Sequence, residues 1–239
     1  VVYTLLLKFM KKVNIIGSGF SSLSAACHLA KRGFRVEVFE KNSSLGGRAR
    51  QFKQDGFTFD MGPSWYWMPD VFERFFEGFG KKVSDYYKLE RLDPGYQVVF
   101  GKDDVFPVYD SIEKIADRFE MEEKGSGQKL ISFLNQAKRN YDVAIDDLVY
   151  KPGVSPLELV TPVTVKNVGL FLTNVRKQVE RDFKSPKLRS LLQFPVLFLG
   201  AKPEQTPAFY NFMNYADFGL GTWHPKGGMI QIVLSLIHI

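Results

Sequence analysis

The stretch that decides the fold is Val13-Asn14-Ile15-Ile16-Gly17-Ser18-Gly19-Phe20-Ser21-Ser22, followed by Leu23–Gly33 and closed by Phe34-Arg35-Val36-Glu37-Val38-Phe39-Glu40. Val13–Ile16 is a short β-branched run stopped by Gly17, the pattern of a buried strand. Phe20–Arg32 carries Leu23, Ala26, Cys27, Leu29 and Ala30 at amphipathic helical spacing, with Gly33 at the C-cap position. Phe34–Phe39 is a second strand that ends at Glu40. Together they predict a βαβ-type opening of the α/β class.

Gly17-Ser18-Gly19-Phe20-Ser21-Ser22 matches G-x-G-x-x-G except that Ser22 stands at the third glycine. Its position between a strand and a helix gives the motif its weight. Gly17 permits the tight turn. Gly19 lets the backbone approach a pyrophosphate at the helix N-terminus, where free N–H groups and the helix dipole favour negative charge. Ser22 is small enough for close helix–strand packing. Glu40, 21 positions after Gly19, is placed to accept hydrogen bonds from a ribose 2′-OH. The cofactor is then FAD or a nicotinamide dinucleotide. Glu40 argues against a 2′-phosphate, and Lys41 beside it weakens that argument.

Outward from this core, Asn42–Arg50 is a polar glycine loop ending Leu45-Gly46-Gly47-Arg48-Ala49-Arg50, in which Arg48 offers a fixed charge to a phosphate. Gly56–Phe59 reads as a short strand, and Pro69 opens a helix through Gly78. Tyr96–Phe100 and Val105–Val108 read as antiparallel strands. Asp110 with Glu113 reads as a capping box for a helix through Glu120, and Gly125-Ser126-Gly127 as a break. Apolar residues at spacings of three and four predict long helices over Gln128–Tyr150 and Thr164–Phe183, and Ser185-Pro186 starts another.

Composition narrows the field further. The 239 residues are 45% hydrophobic and 24% charged, ordinary globular values that exclude disorder, collagen and coiled coil. One Cys and three His exclude a disulfide framework and offer no metal site. The net charge of +6 and the 22 Phe point to anionic or apolar partners. The basic residues are scattered and no nucleic-acid motif is present, so nucleic acid is not an expected partner. No window reaches the apolar length of a membrane span.

Gly46-Gly47-Arg48 beyond the acidic end of the second strand resembles the FAD-dependent amine oxidase and desaturase superfamily. Gly56-Phe57-Thr58-Phe59-Asp60-Met61-Gly62-Pro63-Ser64-Trp65-Tyr66 narrows the resemblance, as do Phe198–Pro203, Asn214-Tyr215 and Gly221-Thr222-Trp223-His224-Pro225-Lys226-Gly227-Gly228-Met229. In these the chain is similar to bacterial-type phytoene desaturases from about Met10 to Val233. The resemblance implies a Rossmann-like FAD-binding domain, incomplete here, with an inserted α+β domain that faces substrate and membrane. The expected borders are 10–95 and 219–233 for the FAD domain and 96–218 for the insertion. It implies FAD held by Gly17, Gly19, Ser22, Glu40, Lys41, Gly46, Gly47, Arg48, Gly62, Pro63, Gly227 and Gly228. It also implies hydride transfer from a carotenoid precursor such as phytoene to the flavin, with Trp65, Tyr66, Phe212 and Tyr215 against the polyene. No residue stands out as a catalytic base; Asp217 and His224 lie near the glycine-rich return, and a structural role is the expectation for both.

Val165–Phe183 carries Lys166, Arg176, Lys177 and Arg181, with Lys184 next in the chain, around Val168, Leu172, Val175 and Val179, the make-up of a basic amphipathic helix on an anionic membrane surface. A peripheral position on the cytoplasmic membrane face is the expectation, with no statement on oligomeric state. Met10 reads as a start, residues 1–9 as upstream sequence, and Leu234–Ile239 as a tail foreign to the family. The alternatives of another class are a non-catalytic partial domain, a related carotenoid oxidoreductase, or a flavin amine oxidase.

Overall fold

A computed structural model describes residues 11–155, 158, 160–166 and 168–239; the expected upstream segment 1–9 lies outside them. Along the chain run β1 (Lys12–Ile16), α1 (Phe20–Lys31), β2 (Arg35–Phe39), β3 (Gln51–Gln54), β4 (Phe57–Asp60), α2 (Pro69–Glu77), β5 (Leu89–Arg91), β6 (Tyr96–Gly101) and β7 (Asp104–Val108). Helices α3 (Ile112–Glu122), α4 (Ser126–Asp146), α5 (Pro162–Lys166), α6 (Val168–Leu172), α7 (Val175–Asp182) and α8 (Pro186–Gln193) follow, then β8 (Trp223–Pro225) and α9 (Ile230–His238). The chain forms two compact units, one of residues up to Glu90 with Trp223–Ile239, the other Arg91–Thr222.

In the first unit β1 and β2 are parallel, from Lys12 opposite Arg35 to Ile16 opposite Phe39, with α1 as the crossover. Gly33 takes φ +83°, so the chain turns out of α1 as its C-terminal glycine predicts. Leu23 and Cys27 of α1 pack with Ala49, Val233 and Leu236. Cys27 Sγ donates to the Leu236 carbonyl at 3.1 Å, and burial pushes its thiol pKa up, so this cysteine is a packing residue. The expected single strand at Gly56–Phe59 has a partner: β3 and β4 form a hairpin, Gln51 opposite Asp60. Asp55 and Gly56 take φ of 52° and 84°, the double positive φ that an Asp-Gly turn supplies. A second core gathers Tyr66, Phe76, Val83, Tyr87, Met229 and Ile232.

The second unit has one large core. Phe106, Val108, Ile115, Phe119, Leu130, Leu134, Val175, Val179, Phe183, Leu188, Leu192 and Phe218 all contribute to it. The expected strands appear as the β6–β7 hairpin, Tyr96 opposite Val108. Three readings are corrected. The cap of α3 is Ser111, whose Oγ accepts from the Lys114 N–H at 3.2 Å; Asp110 instead pairs with Lys114 Nζ at 2.9 Å. The break before α4 is Gly125 alone. Ser126 and Gly127 are helical and buried, and a Cβ on Gly127 would stand 2.8 Å from the Ala116 carbonyl, so glycine lets α3 and α4 close up. The expected helix over Thr164–Phe183 is interrupted between Leu172 and Val175. Asn174 accepts from the Lys177 N–H at 2.8 Å and caps a new helix, and the chain around it bridges to Pro207.

The units divide a few residues from the expected borders because both flanks close on the second one. Leu92 N–H donates to the Thr222 carbonyl at 3.0 Å and Gly95 N–H to Val108 at 2.8 Å. Asp217 is 2% exposed on a π-helical turn, Tyr215–Gly219. The Tyr96 hydroxyl donates to its Oδ2 at 2.5 Å, and among the described residues Oδ1 has no hydrogen-bond partner. Desolvation pushes this carboxyl up to about 8, against the Tyr96 bond that lowers it.

The folded state therefore binds a proton that the unfolded chain releases near 3.9. Its contribution to stability falls as pH rises from about 4 to about 8 and is level outside that window. Asp217→Asn should flatten this part of the urea-midpoint profile. Tyr96→Phe, which leaves the carboxyl without its hydroxyl partner, should cost about 1–3 kcal/mol at pH 6. A Tyr96→Phe midpoint equal to wild type would show that the pair carries no load.

Candidate dinucleotide site

The site is built by three backbone segments of the first unit. Gly17 takes φ +93° at the end of β1, and its N–H donates to the Phe39 carbonyl at 2.7 Å, so the turn is tied to the end of β2. Gly46 and Gly47 take φ of 103° and 58°. A Cβ on Gly47 would stand 3.2 Å from Gly19 Cα, and one on Gly46 would stand 2.8 Å from a Val233 methyl. The third segment enters at Gly62, where a Cβ would stand 2.2 Å from the Arg48 carbonyl oxygen. Gly47 and Gly62 are required by close approach of backbone to backbone, and Gly46 by the Val233 side chain packed on it.

Glu40 lies at the rim of this cradle. Its Oε2 accepts from the Ser18 N–H at 3.0 Å and the Ser18 hydroxyl at 2.6 Å; its Oε1 accepts from the Asn42 N–H at 2.9 Å and Asn42 Nδ2 at 2.7 Å. The Ser18 hydroxyl first, and the Asn42 backbone second, hold its carboxyl down at about 2. Beside it Asn42, Gly47, Arg48, Arg50 and Met61 line a cavity of about 300 Å³. Two guanidiniums at a glycine loop suit a phosphate or pyrophosphate, which takes planar paired donors well.

Of the residues read from sequence, Gly17, Gly19, Glu40, Gly46, Gly47, Arg48 and Gly62 come together here. Ser22 Oγ lies 3.8 Å from where a Gly17 Cβ would stand, so the small residue fits its packing role. Lys41 and Pro63 are exposed. Gly227 and Gly228 sit at the base of the hairpin. Gln51 Nε2 donates to the Gly227 carbonyl at 3.0 Å, a Cβ on Gly228 would stand 2.3 Å from that nitrogen, and Asp60 accepts the Met229 N–H at 3.1 Å. Asp60 thereby caps the turn into α9. Ser18, Asn42, Arg50 and Asp60 were missed. Arg50, two residues beyond Arg48, and Asn42, two beyond Glu40, were visible only as neighbours of residues already assigned.

Tyr66 is a correction: it is 1% exposed, exchanges both backbone hydrogen bonds with Trp223, and its hydroxyl lies 3.0 Å from that of Tyr87. It is core in the first unit, with no face left for a polyene. Trp65 is half-buried with its ring 5.6 Å from that of Trp67. Phe212 and Tyr215 are half-buried in the second unit, Phe212 against Phe209 and Tyr210, Tyr215 edge-on to Tyr141. His224 Nδ1 lies 3.4 Å from the Ser64 carbonyl. Among the described residues no cluster of His, Cys, Asp and Glu is arranged to hold a metal.

Residues 15–80 match a family described as the NAD(P)-binding Rossmann-like domain. The chain is 43% identical over 230 residues to a carotenoid 3,4-desaturase of Haloarcula japonica, covering 95% of this chain and 46% of that protein. It is 32% identical over 228 residues to a zeta-carotene-forming phytoene desaturase of Myxococcus xanthus, covering 95% and 44%. The chain is homologous over 95% of its own length to proteins named as carotenoid desaturases. It spans about half the length of the curated relatives it matches. The fold is also that of a cyclohexylamine oxidase from Brevibacterium oxydans, with a TM-score of 0.55 at 20% identity over 96% of this chain and 49% of that one. Gly56–Tyr66, one of the stretches that carries the resemblance, runs through β4 and the segment that crosses Arg48.

Gly62→Ala should destabilise this unit by about 1–3 kcal/mol, because the methyl meets a backbone oxygen that can move only with the loop. Thermal melts of the purified variant check this. An unchanged Tm would show that Arg48 and Gly62 do not approach as described.

Proposed function

We propose that the chain binds FAD in the cradle and forms part of an enzyme that desaturates a carotenoid precursor such as phytoene. The observation that carries the reading is the joining of the Gly19–Gly47 approach, Glu40 and the Arg48–Arg50 cavity in one place, within a chain homologous to named carotenoid desaturases over 95% of its length. Glu40 suits ribose hydroxyls, Gly17 and Gly19 a pyrophosphate, and Arg48 and Arg50 its charge. Bound there, the flavin supplies a hydride acceptor. In the reaction a hydride leaves one carbon of the polyene, a proton leaves its neighbour, and the remaining electron pair forms the new double bond. The residues of this chain bind and orient, and its apolar aromatic side chains exclude water. The cyclohexylamine oxidase shares the fold alone, at 20% identity.

Two measurements test this reading. Arg48→Ala and Arg50→Ala should each weaken FAD binding, read by flavin fluorescence, by about tenfold to a hundredfold, the worth of one charged hydrogen-bonding group. The complete gene expressed with phytoene should give products absorbing at longer wavelength. Bound FAD with unchanged phytoene would overturn that substrate. A purified 239-residue chain without flavin absorbance would favour the reading that this stretch alone is a non-catalytic partial domain.

Contact with an anionic membrane surface belongs to the same proposal, on Val168 and Leu172 of the stripe first expected but not on Val175 and Val179. Val175 and Val179 are buried in the core, and Arg176 and Arg181 pair with Glu180 and Asp182 at 2.8 Å. Exposed apolar side chains fall instead between residues 149 and 172: Val149, Tyr150, Val154, Val160, Val168 and Leu172, the last 82% exposed. No helix among the described residues is long and apolar enough to cross a membrane, so insertion would be shallow. Val168→Asp with Leu172→Asp should abolish co-sedimentation with vesicles containing phosphatidylglycerol. Retained co-sedimentation would remove this surface from the proposal.

A further inference from the structure

Ser18 stands between the two glycines of the turn and is 1% exposed. A serine hydroxyl has one proton to donate and lone pairs to accept with. Here the proton goes to Glu40 Oε2 at 2.6 Å, and the oxygen accepts the Gly46 N–H at 3.1 Å. The backbone repeats both links: Ser18 N–H donates to the same Oε2 at 3.0 Å, and Gly46 N–H is shared with the Ser18 carbonyl at 3.1 Å. One buried residue therefore joins the phosphate turn, the acidic end of β2 and the Gly46–Arg48 loop.

A carboxylate offers about four acceptor positions, and Glu40 has four donors on it, two from Ser18 and two from Asn42. Among the described residues no cation stands at ion-pair distance from it. A ribose hydroxyl that binds Glu40 must therefore displace a donor. Two of the four are backbone N–H groups, fixed by the chain. The Ser18 hydroxyl is buried and is also held by Gly46. The Asn42 side chain is exposed and rotates into water at little cost.

We propose that Ser18 is the positioning residue of this site, its hydroxyl clamping Glu40 to the Gly46 turn, and that a ribose hydroxyl enters by displacing the Asn42 side-chain amide. This rests on the dinucleotide reading above. It adds a division of labour between a fixed donor and an exchangeable one. It also gives the x position of the Gly-x-Gly turn a role of its own, through the hydroxyl.

The test uses the 239-residue chain, ADP as probe, and two readouts. Carbon NMR follows the Glu40 carboxyl through an acid titration, and calorimetry measures ADP affinity. In Ser18→Ala the Glu40 midpoint should rise by at least one pH unit, and ADP should bind at least tenfold more weakly with Tm within a few degrees of wild type. In a Glu40→Gln background the same change should cost less than twofold. Asn42→Ala, which vacates the position in advance, should bind ADP two- to fivefold more tightly. Ser18→Cys fills the site with a weak donor and should behave as Ser18→Ala, which covers failure of the alanine variant to fold. A Ser18→Ala loss that persists without Glu40, or a Glu40 midpoint unmoved by it, overturns the clamp; a tenfold loss in Asn42→Ala overturns the exchange. If the wild-type chain takes up no ADP, the ribose exchange is overturned for this chain, and the Glu40 titration still decides the clamp.

Discussion

The first unit depends on backbone meeting backbone without side chains between. Gly47 against Gly19 and Gly62 against the Arg48 carbonyl bring three loops to within van der Waals distance, and a side chain at Gly47 or Gly62 would meet backbone atoms there. Everything that can bind an anion there follows from this approach. The N–H groups of the turn, the Glu40 carboxylate and the two guanidiniums converge because the loops that carry them share one seam. A bulkier residue at the seam would disturb the donors before it reached any ligand.

The carboxylate at the rim gives that seam its electrostatic character. Glu40 keeps its charge far below neutral pH through hydrogen bonds alone, chiefly from Ser18. The second unit shows the opposite solution in Asp217, where burial dominates and the carboxyl holds its proton well above the ordinary range. Two acids in one chain thus take opposite states at neutral pH. One is ringed by four donors at the surface. The other has one phenol and an apolar core.

Much of the fold was legible. The β-branched run before Gly17, the helical spacing from Phe20 and the acidic end of Phe34–Glu40 fixed a parallel βαβ unit, because each signal is local and each agrees with the next. The Asp55-Gly56 hairpin was legible too, through its turn residues, and was read as a lone strand. What failed had tertiary causes. The regular spacing from Thr164 to Phe183 promised one helix, but Asn174 caps a new one where the chain bridges to Pro207. The aromatic run at Trp65–Trp67 promised a substrate wall, but Tyr66 is drawn into the core by its bridge to Trp223 and its contact with Tyr87.

The sequence by itself determined that a dinucleotide-type turn stands between a strand and a helix, with Glu40 at the end of the second strand. Spacing and residue chemistry suffice for this, because the turn, the helix start and the acidic strand end are set within 28 residues, Val13 to Glu40. Only the tertiary structure decided that Ser18 joins these pieces, that Arg50 shares a cavity with Arg48, and that Gly227 and Gly228 serve the hairpin. Those contacts depend on segments separated by 28 and 176 residues along the chain. No local pattern encodes such a distance; it is set when the close approaches of glycine backbones and the packing of the cores exclude every other arrangement of the loops.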